Sequence, residues 1–582
     1  MTGKNNEEDA ALAHLRKGLE DQRSYLSGYE QPSEMLAFET LRALDDLFFR
    51  DLMEPRRAVE ENERRFRSLS TWGVNHALRR IVPRSLTCRD FKDFPSTTTI
   101  QAQADDFIFN CAALELGERY EGWLREGILS GEVRYHPKPD GEGTLEVLVL
   151  RPALSSYSDE EIGLSGLSWS SRRIAANDIG RERQLEQRHR RMSRDLGQRV
   201  ELVGGWRVSY STTPEIDSYF MDWARLYLRR IHSQELIAPD DMIGGRPFSR
   251  HLEVLTALSA RSQKHIAYAA ILRARHPQVH IRNLLTSHIG REAFVSSLAE
   301  FLDADTEEIE EILKSMTLSS ENLDAHTSGS ETAWAPIVQA SAGTLLLPNY
   351  GLDINPFLFL LADLRVRHER DWFRIANDRE GRWIEEICRL FDGPRWQTHG
   401  RNLKLRSHGR IETDIDFAVL DRKTNELALF QMKWQHPIGF DNRARRSAGK
   451  NFIEESNRWI ETVISWLDRF GTAELRRRLG FDDLGTPNVR LFVLGRYHAY
   501  YAGFDSHDAR AVWSDWAHFQ RVRSHAPRRS LSQLASDLQS TVNQSRSGKK
   551  GESQMLPVGN LAVVFNPSSV RPKPDTPKAV SL

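Results

Sequence analysis

The chain has 582 residues, 40% of them hydrophobic, and its 80 Lys and Arg nearly balance 81 Asp and Glu, for a net charge of −1. That content is enough for three or four buried cores and excludes a chain disordered throughout. Three cysteines, Cys88, Cys111 and Cys388, show no CxxC spacing; they support neither a zinc ribbon nor a disulfide framework and point to a reducing compartment. No apolar run reaches membrane-spanning length, and the N-terminal MTGKNNEEDA lacks a signal-peptide pattern, so a soluble, cytoplasmic protein without a membrane partner is expected.

Residues 1–130 read as a helical domain; in 32–52, Met35, Leu36, Leu41, Leu44 and Leu47 recur at helical spacing. Residues 131–318 read as a mixed, mostly helical domain. It opens on a hairpin, with GEVRYH and TLEVLVLR flanking the Pro/Gly turn PKPDGEG (137–143). The charged stretch 171–199 reads as an exposed helix or linker, and the glycine pairs at 204–205 and 244–245 as turns. In 305–316 Asp305 is the expected N-cap with Glu308 three residues on, and Ile309, Ile312, Leu313 and Met316 form the buried stripe. The helix pair over 291–316 has helix-turn-helix spacing, but its second helix is acidic, which favours scaffold packing over a major-groove role. The polar, small-residue stretch 319–333 is the expected linker. Residues 334–530 form the next expected domain, and 531–582 a helix and partly flexible tail, with LAVVFN (561–566) returning as an edge strand. There is no internal repeat, no HExxH and no GxSxG, and SAGKN (447–451) lacks the first glycine and the Ser/Thr of a phosphate loop.

The densest chemistry lies in residues 411–435, IETDIDFAVLDRKTNELALFQMKWQ. Two strand-like runs flank a polar turn, Arg422–Glu426. Ile415, Phe417 and Val419 alternate with Asp414, Asp416 and Ala418; Ala428, Phe430, Met432 and Trp434 alternate with Leu429, Gln431 and Lys433. A simple antiparallel register sets Asp416 opposite Gln431 and Asp414 opposite Lys433. Acid, amide oxygen and amine then converge where a divalent metal and a water fit.

This pattern resembles the PD-(D/E)xK nuclease superfamily, whose core runs helix with Glu, strand with Asp, strand with (E/Q)-x-K, then a second helix. GRWIEEICRLF (381–391) supplies the first helix, with Ile384, Ile387, Cys388 and Phe391 on one stripe and Glu385 and Glu386 beside it; NFIEESNRWIETVISWLDRF (451–470) supplies the second, and VRLFVLGRY (489–497) a further buried strand. The resemblance covers roughly the last two-fifths of the chain. It implies an α/β fold: a restriction-endonuclease-like mixed sheet flanked by helices, preceded by a mainly helical region with a small β-hairpin element. It implies Mg²⁺, with Mn²⁺ as substitute, held by Asp416, the Gln431 side-chain oxygen and the Met432 carbonyl. Lys433 would orient or deprotonate water or stabilise the transition state, and Glu385, or Glu386 one position on, would hold Lys433 or a second metal. Helical phase favours Glu385, and Asp414 is a further candidate on the same strand face. The family proline before the Asp is missing, and Gln431 stands where Glu is usual, which lowers the charge offered to a cation.

Charge is unevenly spread. Residues 371–582 carry 34 Lys and Arg against 25 Asp and Glu, while the rest carries 46 against 56. Basic clusters flank the motif: Arg401, Lys404, Arg406 and Arg410 before it, and Arg443, Arg445, Arg446 and Lys450 after it, with Lys450 and Asn451 expected near a helix N-terminus. The resulting expectation is a metal-dependent DNA endonuclease of bacterial DNA processing or genome defence, with DNA ahead of RNA as partner. Its N-terminal region would oligomerise or recruit a protein partner. The alternatives are a catalytically silent nuclease fold that binds nucleic acid and a non-nucleolytic interaction scaffold.

Overall fold

The computed structural model describes residues 2–29, 33–54, 60–83, 90–137, 144–153, 179–232, 236–328, 332–435, 442–482, 485–501, 506–546 and 553–566. It is a mixed α/β protein with several small sheets. No helix among the described residues is long and apolar enough to cross a membrane. The chain divides into two compact units, one of Met1–Gly18, Arg119–Arg173 and Asp378–Leu582, the other of Leu19–Glu118 and Ile174–Asn377.

These units are not the consecutive domains expected from composition, because sheet pairing joins distant segments. Strands Leu129–Pro137 and Thr144–Pro152 form the expected hairpin. Thr144–Pro152 then pairs in parallel with Leu561–Phe565, which also pairs with Gln554–Val558. The LAVVFN run is therefore an interior strand, and Gln554–Val558 is the edge. The expected linker is packed instead: Leu323 is fully buried, Asn322 donates to Asp363 at 2.9 Å, and His326 stacks on Phe359. Asp305 does stand at its helix N-cap, but its side chain makes no capping bond, and Glu308 turns outward to hold Arg250 with two 2.9 Å bonds. Of the three cysteines, Cys111 and Cys388 are free thiols, and Cys88 lies outside the described residues.

The C-terminal sheet positions the motif. Its elements, in chain order, are helix α1 (Glu369–Leu390), strands β1 (Trp396–His399), β2 (Leu403–Ser407), β3 (Arg410–Ile415), β4 (Phe417–Asp421) and β5 (Glu426–Lys433), helix α2 (Asn442–Leu479, interrupted at Gly471), strands β6 (Asn488–Gly495) and β7 (Ala511–Asp515), and helix α3 (Trp516–His525). The sheet order is β1-β4-β5-β6-β7, antiparallel up to β5 and parallel from β5 on. The step from β5 to the parallel β6 needs a long crossover, and α2 supplies it.

Both faces of this sheet are covered, so neither is the solvated side that alternation alone permits. On one, Ala418, Leu420, Leu427, Leu429 and Val493 pack with Ile453, Ile460, Val463 and Trp466 of α2. On the other, Phe417, Phe430 and Phe492 meet Phe391 and Phe519. Polar side chains of β4 and β5 sit at the strand ends, and the buried ones have partners: Asp421 with Arg395, Glu426 with the Ser532 N–H, and Gln431 with Asp416.

The Gly-Lys pair of SAGKN falls inside α2, so Gly449 cradles no phosphate. A Cβ there would lie 2.8 Å from Cγ of the Tyr501 ring. Alanine usually stabilises a helix interior relative to glycine by ~1 kcal/mol. Gly449→Ala is expected to lower the melting temperature by several degrees instead, measured by thermal unfolding; a higher melting temperature would show that Tyr501 moves aside freely.

Candidate active site

Asp416 occupies a one-residue break in its strand. Up to Ile415 the chain pairs with β2; from Phe417 it pairs with β5. The Asp416 N–H still donates to the Phe430 carbonyl at 3.1 Å, so the residue stays at the sheet while its side chain is freed from the ladder. The carboxylate Oδ2 accepts from Gln431 Nε2 and from the Met432 N–H, each at 2.7 Å. The expected register thus holds at Asp416 and Gln431. Strand alternation turns the Phe430 and Met432 carbonyls toward Asp416, and those of Gln431 and Lys433 toward β6, where the Lys433 carbonyl accepts from the Arg496 N–H at 3.0 Å.

Asp414 pairs across the β2–β3 hairpin with Lys404 rather than with Lys433, and its own Oδ2 accepts from Asn402 Nδ2 at 2.8 Å. The same Nδ2 lies 3.4 Å from Asp416 Oδ1, so Asn402 bridges the two carboxylates. Lys433, about one-third exposed, reaches Glu455 of α2 at 3.1 Å. Neither Asn402 nor Glu455 belongs to the motif, and only the folded hairpin and helix bring them in.

The helix carboxylate in this cluster is Glu380. Its carboxyl is raised above the ordinary range by burial first, with Lys433 opposing and Asp414 adding, although the residue as a whole is exposed at the rim. Asp416 is pushed up to about 7, chiefly by burial, against the Met432 N–H and Lys433 and with help from Asp414 and Glu380. Glu385, expected to hold Lys433, instead makes a surface pair with Arg389 at 3.2 Å. Five residues along a helix turn a side chain about 140° around the axis, so Glu380 and Glu385 cannot share a face. Glu386 pairs at 2.8 Å with Arg496, which is buried over the rings of Trp383, Trp434 and Trp516. The signal for Glu380 is in the sequence: it stands seven residues before Ile387 and continues that buried stripe, one position ahead of the segment read as the helix.

The basic residues separate likewise. Arg443 and Arg445 lie on α2, with side chains outside the described residues. Arg446 pairs with Glu126 at 3.3 Å and Lys450 with Glu454 at 3.8 Å. The helix begins at Asn442, so Lys450 and Asn451 sit inside it rather than near its N-terminus. Arg401, Lys404, Arg406 and Arg410, by contrast, are exposed and make no ion pair with any described residue. Lys404, Arg406 and Arg410 ride on the β2–β3 hairpin, just after Arg401, and its His408-Gly409 turn has φ of 48° and 81°, the left-handed pair that a two-residue type I′ loop requires.

The oxygen donors of Asp416, Glu380, Asp414, Gln431 and Met432 suit a hard divalent cation. Asp416 and Glu380, both raised in pKa chiefly by burial, are the groups such a charge would relieve. The carboxylates of Asp416, Asp414 and Glu380 do not all come within 4.8 Å of one another; among the described residues, His76, Glu115 and Glu118 do. There burial lowers the histidine pKa but its two carboxylates outweigh this and raise it, and Glu118 also holds Arg23 at 2.8 Å, so the group is a closed ion cluster.

Comparison of the chain with family models, with curated proteins and with solved structures finds no match.

A carboxyl whose folded pKa is raised from 3.8 to about 7 keeps a proton that the unfolded chain has released, so stability falls as pH rises through that interval. Asp416→Asn removes this penalty. The variant is expected to melt above the wild type at pH 8, with the gap closing toward pH 4; equal melting curves at pH 8 would contradict the burial of Asp416 as a charge.

Proposed function

We propose that the C-terminal part of the chain is a metal-dependent phosphodiesterase of the PD-(D/E)xK type, an endonuclease acting on DNA ahead of RNA. The observation that carries this reading is the grouping of Asp416, Gln431 and Lys433 at one end of a mixed sheet, with the charge of Glu380 felt by Asp416. The order of helix, antiparallel strand pair, crossover helix and parallel strand supports it, since that is the order the family core follows. So do the unpaired cations on the adjoining hairpin.

In this reading Asp416 anchors the cation, with the Met432 carbonyl beside it. Gln431 now donates its amide nitrogen to Asp416; to offer its oxygen, it turns its amide over. When bound, Mg²⁺ (or Mn²⁺) supplies a water of lowered pKa and draws charge from a phosphoryl oxygen. Lys433 would place its ammonium where charge builds up on the phosphorane and would orient the attacking water, with Glu455 at 3.1 Å directing the amine. Arg401 and Lys404 seat the phosphate backbone on the hairpin.

A second reading has one observation in its favour. Gln431 turns its amide nitrogen, not its oxygen, to Asp416 and adds no charge, which suits a silent fold that binds nucleic acid without cutting it. Gln431→Glu separates the two: a cleaving enzyme keeps its activity and needs less Mg²⁺, whereas a silent fold stays silent.

Cleavage of supercoiled plasmid, linear duplex, single-stranded DNA and RNA, with Mg²⁺, Mn²⁺ or EDTA, tests the proposal. Lys433→Ala is expected to lose about 10²-fold or more in rate. Glu380→Gln is expected to lose at least about tenfold, and Glu385→Gln to cleave like the wild type. Undiminished cleavage in Lys433→Ala would remove the assignment. In binding assays Arg401→Ala with Lys404→Ala is expected to reduce the log–log salt slope by about 2; an unchanged slope would place the phosphate track elsewhere.

A further inference from the structure

The other unit contains a cavity of about 470 Å³, within the size class of small-molecule sites. Its wall carries four basic and two acidic side chains. Both acids are answered by the protein itself. Asp93 takes Arg42 at 3.4 Å and Arg207 at 3.3 Å; Asp217 takes Lys264 and, at 2.8 Å, the Thr212 hydroxyl.

Arg261 is the cation left over. It lies on the helix Phe248–Arg275, half-buried, and makes no hydrogen bond or ion pair with any described residue. Its guanidinium sits 5.6 Å from the centre of the Phe294 ring, and its charge is felt by Tyr210 and His265, both in the cavity wall. The Arg261 nitrogens stay accessible and carry no counter-charge among the described residues, so an anion entering the cavity meets a free donor for charge-assisted hydrogen bonds.

The rest of the wall selects among anions. Trp206, Phe220 and Phe301 add aromatic surface to Phe294 and Tyr210, and Phe301 is left 48% exposed at the rim. Trp206 is presented by a hairpin turn whose Gly204 and Gly205 both have positive φ, 62° and 79°. Aromatic faces of this kind stack planar rings whatever their edge pattern. Asn283, Ser287 and Ser297 offer neutral polar groups, and burial holds His265 near 4, so it too is neutral at pH 7.

We propose that this cavity binds a nucleotide, with its base against the aromatic wall and its phosphate on Arg261. The proposal concerns a site in a different unit from the acid cluster and does not rest on the nuclease reading.

The test is calorimetric titration of the full chain with AMP, GMP, CMP and UMP, in EDTA, beside inorganic phosphate and the matching nucleosides. At least one nucleotide is expected to bind at least tenfold more tightly than its nucleoside or phosphate alone. Arg261→Met should erase the advantage of nucleotide over nucleoside while leaving the melting temperature nearly unchanged, since that side chain makes no hydrogen bond or ion pair with any described residue and Met keeps an apolar contact with Phe294. Ser297→Trp, which fills the rim from the exposed face of its helix, should abolish binding of both. No binding by any nucleotide, or equal nucleotide affinity in wild type and Arg261→Met, would overturn the proposal.

Discussion

Two donors from one strand, the Met432 amide and the Gln431 side chain, pin a single carboxylate oxygen of Asp416 where its own strand leaves the sheet. The break has two consequences. It releases Asp416 from the ladder, and it sends β3 away to pair with β2, so that a short basic hairpin stands beside the acids. One irregularity therefore brings together Asp416, Lys433 and a hairpin whose exposed cations make no ion pair with any described residue. A regular strand through residue 416 would have kept Asp414 and Lys433 opposite each other and left the hairpin without a launching point.

The acids pay for this arrangement in desolvation, and Asp416 and Glu380 both rise in pKa for that reason. Some buried charges in the other unit find partners. Arg282, 3% exposed, engages Asp46 at 3.0 Å, and Asp45 accepts from the Thr286 hydroxyl and two backbone amides. Two charged places lie where a ligand can reach them: the cluster around Asp416 at the sheet end, and Arg261 in the cavity wall, which makes no hydrogen bond or ion pair with any described residue. Uncompensated charge in a concave or sheet-end position is a mark of a site for a ligand of the opposite sign.

Alternation and turn chemistry made the two motif strands legible, because Phe417 and Phe430 had to face one way and Ala418 and Leu429 the other. The order of elements around them followed from helical periodicity. What the sequence left hidden was three-dimensional. Glu455 and Asn402 reach the cluster only through a crossover helix and a hairpin turn. Glu380 was masked by two adjacent glutamates five and six residues on, which helical phase directs to Arg389 and Arg496. The unit boundaries were hidden because Leu561–Phe565 pairs with a strand four hundred residues earlier, a pairing to which composition is blind. The polar residues at 319–333 look like a linker by composition, yet Asn322 and His326 find a buried partner in Asp363.

The central claim is that the cluster holds a divalent cation. The most direct measurement is anomalous diffraction from crystals of the wild type and of Asp416→Ala soaked in Mn²⁺. The account predicts an anomalous peak beside Asp416 and the Met432 carbonyl that vanishes in the alanine variant. A wild-type crystal without a peak there, or a peak that survives the loss of Asp416, would contradict it.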